Sequence, residues 1–255
     1  MTRKILLSFD VEEFDMPLEY NQNISIPEQL LIGNSGVAAI TPILSNKNVR
    51  TTLFTTATYA QAFPETIKNF TPQHEIASHT FYHSFFKDEH LLQSKLALEA
   101  ITNIKVTGLR MPRMRTVAME EVLKAGYKYD SSINPTCIPG RYNNFHLSRT
   151  VYDEKGVKRI PTSVTPNLRI PLFWLAFKNS PYALYKKWVL QTLKHDGYVC
   201  LYFHPWEFSN AIRETAIPNY TKRWCGEPLL DRLQQLIKDL TSEGEFVTMN
   251  ELFNS

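Results

Sequence analysis

Four acidic side chains fall within six positions directly behind an apolar run. The stretch LSFDVEEFD, residues 7–15, carries Asp10, Glu12, Glu13 and Asp15 behind Ile5-Leu6-Leu7. Like charges crowded at the end of a buried segment repel one another, so either a cation belongs there or the carboxylates have separate tasks. The stretch HEIASHTFYH, residues 74–83, adds His79 and His83 four positions apart. On a helical turn that spacing puts both imidazoles on one side, able to share a cation, although an isolated pair of this kind is most often structural. Arg110, in GLRMPR, is followed by Pro112, which fixes the next stretch of backbone. Its guanidinium could hold a carboxylate by two parallel hydrogen bonds, or make an ordinary salt bridge. Asp130, in YDSS, fits a turn or helix cap as well as a site. His204, in LYFHPWEF, follows mostly apolar residues and precedes Pro205 and Trp206. A histidine held against aromatics with a carboxylate nearby is a natural proton donor; standing alone it is more often a packed core residue. His74 reads as structural, and His90, His146 and His195 sit in helix or loop contexts.

The elements that must position these residues alternate between strand-like and helix-like. Apolar and β-branched runs predict strands over 4–9, 50–57, 104–110, 127–132, 198–203 and 245–249. Helical spacing predicts helices over 35–44, 89–101, 118–126, 180–197 and 228–244. The clearest is 180–197, with Ser180 as its cap, Pro181 in its first turn and Gly197 closing it. Such alternation is the pattern of an α/β protein with a parallel sheet, open or closed into a barrel. Asp10, Arg110, Asp130 and His204 all fall at the C-terminal ends of their strands. In a parallel barrel those ends form one mouth, where active sites sit. A purely structural polar residue has no reason to prefer that end.

Composition narrows the function classes. A chain of 255 residues, 43% of them hydrophobic, fits one large domain over residues 1–255 with a sizeable core. A net charge of +3, without a basic block, does not suggest nucleic-acid binding. No apolar stretch approaches the ~20 residues of a membrane span, so an integral membrane protein is not expected. The start MTRKILLSFDVEE turns acidic after a short apolar run and does not read as a signal peptide. Cys137, Cys200 and Cys225 stand singly, as reduced thiols of a cytoplasmic protein would.

Taken in order, the motifs resemble those of the polysaccharide deacetylases of the NodB-homology type, carbohydrate esterase family 4. LSFDVEE resembles their acidic first motif, SHTFYH the second, RMPRM the third, YDSS the fourth and LYFHPWEF the fifth. The pairing of DVE with HPWEF looks like a subgroup associated with cell-surface polysaccharide biosynthesis. The resemblance implies a distorted, seven-stranded (β/α) barrel of parallel strands. It also implies one divalent metal, zinc in most members, and hydrolysis of an acetyl group, N-acetyl first, from a sugar. His79 and His83 match the metal histidines, Asp10 the general base, Arg110 its orienting partner and His204 the general acid. Asp130 matches the support of that acid, and the backbone N–H of Arg113 the oxyanion donor.

Val11 stands where the family has its second acid, so the metal carboxylate must shift or be lost. Side chains alternate along a strand, which sends Leu6, Ser8, Asp10 and Glu12 inward and Leu7, Phe9 and Val11 under the helices. Glu12 is then the ligand, with Glu13 the alternative if the strand ends early, and Asp15 falls in a solvated loop. Trp206, with Phe173, Trp174 and Trp224, would suit sugar stacking, and core packing accounts for most of them. Without an export signal, the expected partner is a nucleotide-linked or lipid-linked N-acetylated sugar. Two other readings stand beside this one: a metal-free cyclic amide hydrolase of the same fold, and a catalytically inactive carbohydrate-binding protein.

Overall fold

The computed structural model describes residues 2–253. At its centre lies strand β1 (Lys4–Val11), shielded from solvent along nearly its whole length. Both faces of such a strand must be covered, and its alternation divides the labour. Ile5, Leu7, Phe9 and Val11 join the large apolar cluster under the helices, whereas Leu6 joins a second cluster inside the curled sheet, with Phe54, Ala77, Tyr129, Ile160 and Cys200.

The further strands are β2 (Thr51–Thr55), β3 (Glu75–Ser78), β4 (Gly108–Leu109), β5 (Tyr129–Asp130), β6 (Cys137–Ile138), β7 (Tyr142–Asn143), β8 (Tyr152–Glu154), β9 (Val157–Arg159), β10 (Tyr198–Phe203) and β11 (Glu245–Phe246). Seven run parallel in the order β10-β1-β2-β3-β4-β5-β9. Strand β8 adds antiparallel to β9, and β11 is an extra parallel partner of β1. Strands β6 and β7 form a hairpin that pairs only with itself. No strand ladder joins β9 to β10. The seam is crossed by Ser163, whose N–H donates to the Cys200 carbonyl at 2.9 Å and whose hydroxyl accepts from the Cys200 N–H at 2.8 Å. The architecture is a distorted α/β barrel of parallel strands.

The helices are α1 (Ile26–Leu44), α2 (Ala57–Ala62), α3 (Pro64–Phe70), α4 (Glu89–Thr102), α5 (Met119–Lys124), α6 (Trp174–Asn179), α7 (Tyr182–Asp196), α8 (Asn219–Lys222) and α9 (Glu227–Thr241). None among the described residues is long and apolar enough to cross a membrane. Several boundaries differ from the sequence expectation. Helix α1 begins nine residues before the predicted start, capped by Ser25, whose hydroxyl accepts the Glu28 N–H. Its first turns leave Ile26 and Leu31 exposed, so no buried stripe announces them. The strand expected over 104–110 shrinks to two residues, and the one over 50–57 stops at Thr55 because Thr56 caps α2. Ser180 makes no capping bond to α7, while Gly197, with φ 77°, does close it.

Helix α1 lies unusually close to the strand ends. A Cβ on Gly33 would stand 2.5 Å from the Glu12 carbonyl oxygen, and one on Gly36 would stand 2.2 Å from that of Pro205. Only glycine admits this approach.

Candidate metal centre and proton-transfer site

Because β1 holds its alternation to Val11, Asp10 and Glu12 both turn inward at the mouth. Glu12 Oε2 lies 2.9 Å from His79 Nε2 and 3.0 Å from His83 Nε2. The candidate ligand atoms of the three side chains all lie within 4.8 Å of one another, and all three residues are buried. The two histidines do not share a helical turn, as the spacing had suggested. They sit in the loop after β3, where Thr80 takes a left-handed φ of 63° and the imidazoles stack with centroids 5.6 Å apart. His79 Nδ1 donates to the Arg110 carbonyl at 2.8 Å, which leaves Nε2 with its lone pair facing Glu12. His83 Nδ1 lies 2.7 Å from Asp15 Oδ1. Outer contacts of this kind fix the ring orientation of metal-binding histidines.

These residues fit a cation. Glu12 Oε1 accepts from the Trp206 indole at 2.9 Å, and Oε2 lies buried between the two imidazoles, 2.9 and 3.0 Å from their Nε2 atoms. Two imidazole nitrogens and one carboxylate oxygen converging on one buried point form a donor set that suits zinc. Burial alone would raise the Glu12 pKa; His83, His204 and His79 outweigh it and hold the group well below the usual carboxylate range. Glu13 turns elsewhere. Its carboxylate accepts from the Thr56 hydroxyl, and burial pushes its pKa up. Asp15 is not in a solvated loop. It is buried, contacts His83, and accepts from Arg113 Nη2 at 2.9 Å and Ser84 Oγ at 3.0 Å.

On the other side of the mouth, Arg110 is fully buried beneath Asp10. It gives one hydrogen bond to Asp10, Nη1 to Oδ1 at 2.7 Å, rather than a two-bond fork. Its other donors go to Ser8 Oγ, Ser131 O and Ser131 Oγ, and its guanidinium lies 4.1 Å from the Phe54 ring centroid. Asp10 Oδ2 is left facing His204 Nε2 at 3.9 Å. The His204 ring stacks on Trp206, with centroids 4.8 Å apart, and meets the edge of Trp174 at 5.2 Å. Burial disfavours its charge, but Glu12, Glu207 and Asp10 outweigh burial and raise its pKa.

The carboxylate supporting His204 is not Asp130. Asp130 accepts from the Ser132 N–H at 3.0 Å and faces Arg159 Nε at 3.1 Å, because β5 ends against β9 rather than β10. The supporting group is Glu207, whose Oε1 lies 3.0 Å from His204 Nδ1 and also accepts the His204 main-chain N–H at 2.8 Å. Sequence reasoning missed Glu207, although the H-P-W-E spacing, with an acid three residues after the turn begins, carries the signature of a capping box.

Asp10, Glu12, His79, His83 and His204 line one cavity of about 390 Å³. Its wall also includes Met16, Glu19 and Tyr20 from a 3-10 turn (Met16–Tyr20), Ile138, Arg141 and Tyr142 from the β6–β7 hairpin, and Phe173, Trp174 and Tyr220. Arg113 reaches the wall from a turn in which it and Met114 both have left-handed φ, 56° and 53°. Trp206 also lines the cavity, though it is largely buried, donates to Glu12 and stacks on His204. Trp224 is exposed and lies outside the cavity lining.

A parallel α/β barrel with carboxylates and histidines gathered at its C-terminal mouth holds them where barrel enzymes carry their active sites. The polysaccharide deacetylase family matches residues 3–129, and the chain belongs to that family. No curated protein sequence matches. Among solved structures, a Mycobacterium smegmatis protein assigned to the polysaccharide deacetylases is similar with a TM-score of 0.66 at 17% identity, over 98% of this chain and 88% of that one. The allantoinase PuuE is similar with a TM-score of 0.64 at 15% identity, over 98% and 88%. A carbohydrate esterase family 4 pseudoenzyme from Bacillus anthracis is similar with a TM-score of 0.54 at 14% identity, over 98% and 65%. At these identities the likeness is one of fold.

Proposed function

We propose that the protein is a metal-dependent hydrolase that removes an acetyl group, N-acetyl in the first place, from a sugar used in cell-surface polysaccharide biosynthesis. The observation that carries this reading is the placement of Asp10 and His204 in one cavity with the Glu12–His79–His83 cluster. An acid, a base and a cation site are the three parts that hydrolysis of an unreactive amide requires. Glu12, His79 and His83 would hold the metal, zinc by their donor types, which when bound polarises the acetyl carbonyl and acidifies water.

The chain's own residues do the rest. Arg110 holds Asp10 Oδ1, so Oδ2 is the oxygen available to take a proton from attacking water. The main-chain N–H of Arg113, on its tight turn at the cavity wall, would donate to the tetrahedral oxyanion. His204 keeps Nδ1 on Glu207 and offers a proton from Nε2 to the departing amine, a poor leaving group until protonated. The retained carboxylate and both imidazoles favour this over a metal-free cyclic amide hydrolase. An inactive carbohydrate binder would have no use for a paired acid and base.

The test is acetate release by zinc-loaded protein across N-acetylated nucleotide sugars, lipid-linked sugars and chitooligosaccharides. Turnover of at least one, abolished in Asp10→Asn, is expected. Sugar binding without release on the whole panel would sink the hydrolase reading.

A further inference from the structure

One charged side chain of α6 has no place in the chemistry above and yet is entirely shielded from solvent. Lys178 Nζ lies 2.8 Å from Glu207 Oε2, and neither side chain is exposed at all. A buried ammonium is unfavourable unless its partners are fixed around it. Here they are: Nζ also donates to the Thr221 carbonyl at 2.8 Å and to Cys225 Sγ at 3.6 Å, and it lies 4.7 Å from the Trp174 ring centroid. Lys178 does not line the cavity, so it has no route to a substrate. Of its partners, Glu207 is the charged one and touches His204 directly, while Trp174 and Thr221 belong to the cavity wall.

The two oxygens of Glu207 are divided. Oε2 faces Lys178, and Oε1 receives both the main-chain N–H and the Nδ1 of His204. We propose that Lys178 is a positioning residue: by holding Glu207 as a carboxylate, it keeps the Nδ1 proton of His204 in place and turns Nε2 toward Asp10 and the cavity. This rests on the acyl-hydrolysis reading for its purpose, though not for its geometry. Burial by itself would raise the Glu207 pKa; Lys178, and then His204, reverse that and lower it. A neutral carboxyl in the same place could instead donate its own proton to Nδ1, which would put the remaining ring proton on Nε2 and remove the fixed imidazolium. The other charged groups facing the ring are Asp10, from β1, and Glu12, just past its end. They lie on its Nε2 side or act at longer range, and neither replaces the Nδ1 contact.

The experiment is NMR of protein labelled with ¹⁵N in histidine, with His204 assigned from the His204→Gln spectrum. The wild type is expected to show a low-field proton on His204 Nδ1. Lys178→Met and Glu207→Gln are expected to lose it, and Asp10→Asn to keep it. On a turned-over substrate, Lys178→Met should lower kcat tenfold or more with KM within about twofold. Persistence of the Nδ1 proton in folded Lys178→Met would overturn the proposal. Should that variant not fold, Lys178→Met/Glu207→Gln removes both charges and leaves no orphan. Its kcat should match Glu207→Gln within about twofold, and a further tenfold loss would show that Lys178 acts by another route. Loss of the Nδ1 proton in a protein whose wild type hydrolyses nothing would leave the positioning role intact and overturn the hydrolase reading instead.

Discussion

Asp10 Oδ2 and His204 Nε2 face each other across 3.9 Å at the floor of the cavity, too far for a direct hydrogen bond and close enough for a single reacting group to touch both. Each has its opposite end tied down, Asp10 by Arg110 and His204 by Glu207. Two side chains held this way keep Oδ2 and Nε2 at fixed positions, as the proposed proton transfers require.

Asp10→Asn and His204→Ala should each therefore lower kcat by ~100-fold or more while zinc stays bound. Steady-state kinetics beside metal content on the same samples checks this. Near-normal turnover in either variant would remove that residue from the mechanism.

The pH profile follows from the raised pKa of His204. On the proposed mechanism the protonated form acts as the acid, Glu207 and Asp10 favour it, and kcat should fall as pH rises through the His204 pKa. Glu207→Gln removes one of the charges that raise it, so the alkaline limb should move to lower pH. A limb unmoved between wild type and variant would show that Glu207 does not govern the acid.

Zinc uptake should release protons. Without metal, Glu12 and Asp15 overcome the burial of His83 and push its pKa up to about 10, so the ring is charged at neutral pH. A cation needs the neutral ring, so apparent affinity should rise with pH, by roughly tenfold per unit while His83 is the displaced group. Calorimetry in buffers of different ionisation heat should find about one proton released. Glu12→Gln should lose most zinc binding, Asp15→Asn should weaken it ~10–100-fold, and Glu13→Gln should leave it nearly intact. A large loss confined to Glu13→Gln would mean the wrong carboxylate has been chosen.

Gly36→Ala should destabilise the fold. The added methyl would meet the Pro205 carbonyl oxygen at 2.2 Å, and overpacking of this kind costs ~1–3 kcal/mol. A fall in Tm of a few degrees or more, measured by calorimetry, is expected. An unchanged Tm would mean that α1 can retreat freely from the turn after β10.

How far the sequence could be read depends on how local the cause is. The inward set Leu6, Ser8, Asp10, Glu12 follows from strand parity and holds as far as Glu12. Arg110 under Asp10 follows from two strand ends sharing a mouth. Asp15 was misplaced because its partners, His83 and Arg113, come from loops far along the chain, and nothing near residue 15 signals burial. The resemblance gives the supporting place to Asp130, whereas barrel order puts β5 beside β4 and β9 and away from His204, whose Nδ1 meets Glu207 instead. The start of α1 escaped notice because its first turns bury little.

The β6–β7 hairpin shares no ladder with the barrel sheet, yet Ile138, Arg141 and Tyr142 form part of the cavity wall. The hairpin can therefore vary without altering the strand pairing that places Asp10. Insertions or exchanges in this hairpin can alter which molecule is admitted while strand register, the cation cluster and the Asp10–His204 pair stay as they are. On the proposed function, the seven residues from Cys137 to Asn143 could retune which sugar enters without moving Asp10 or His204.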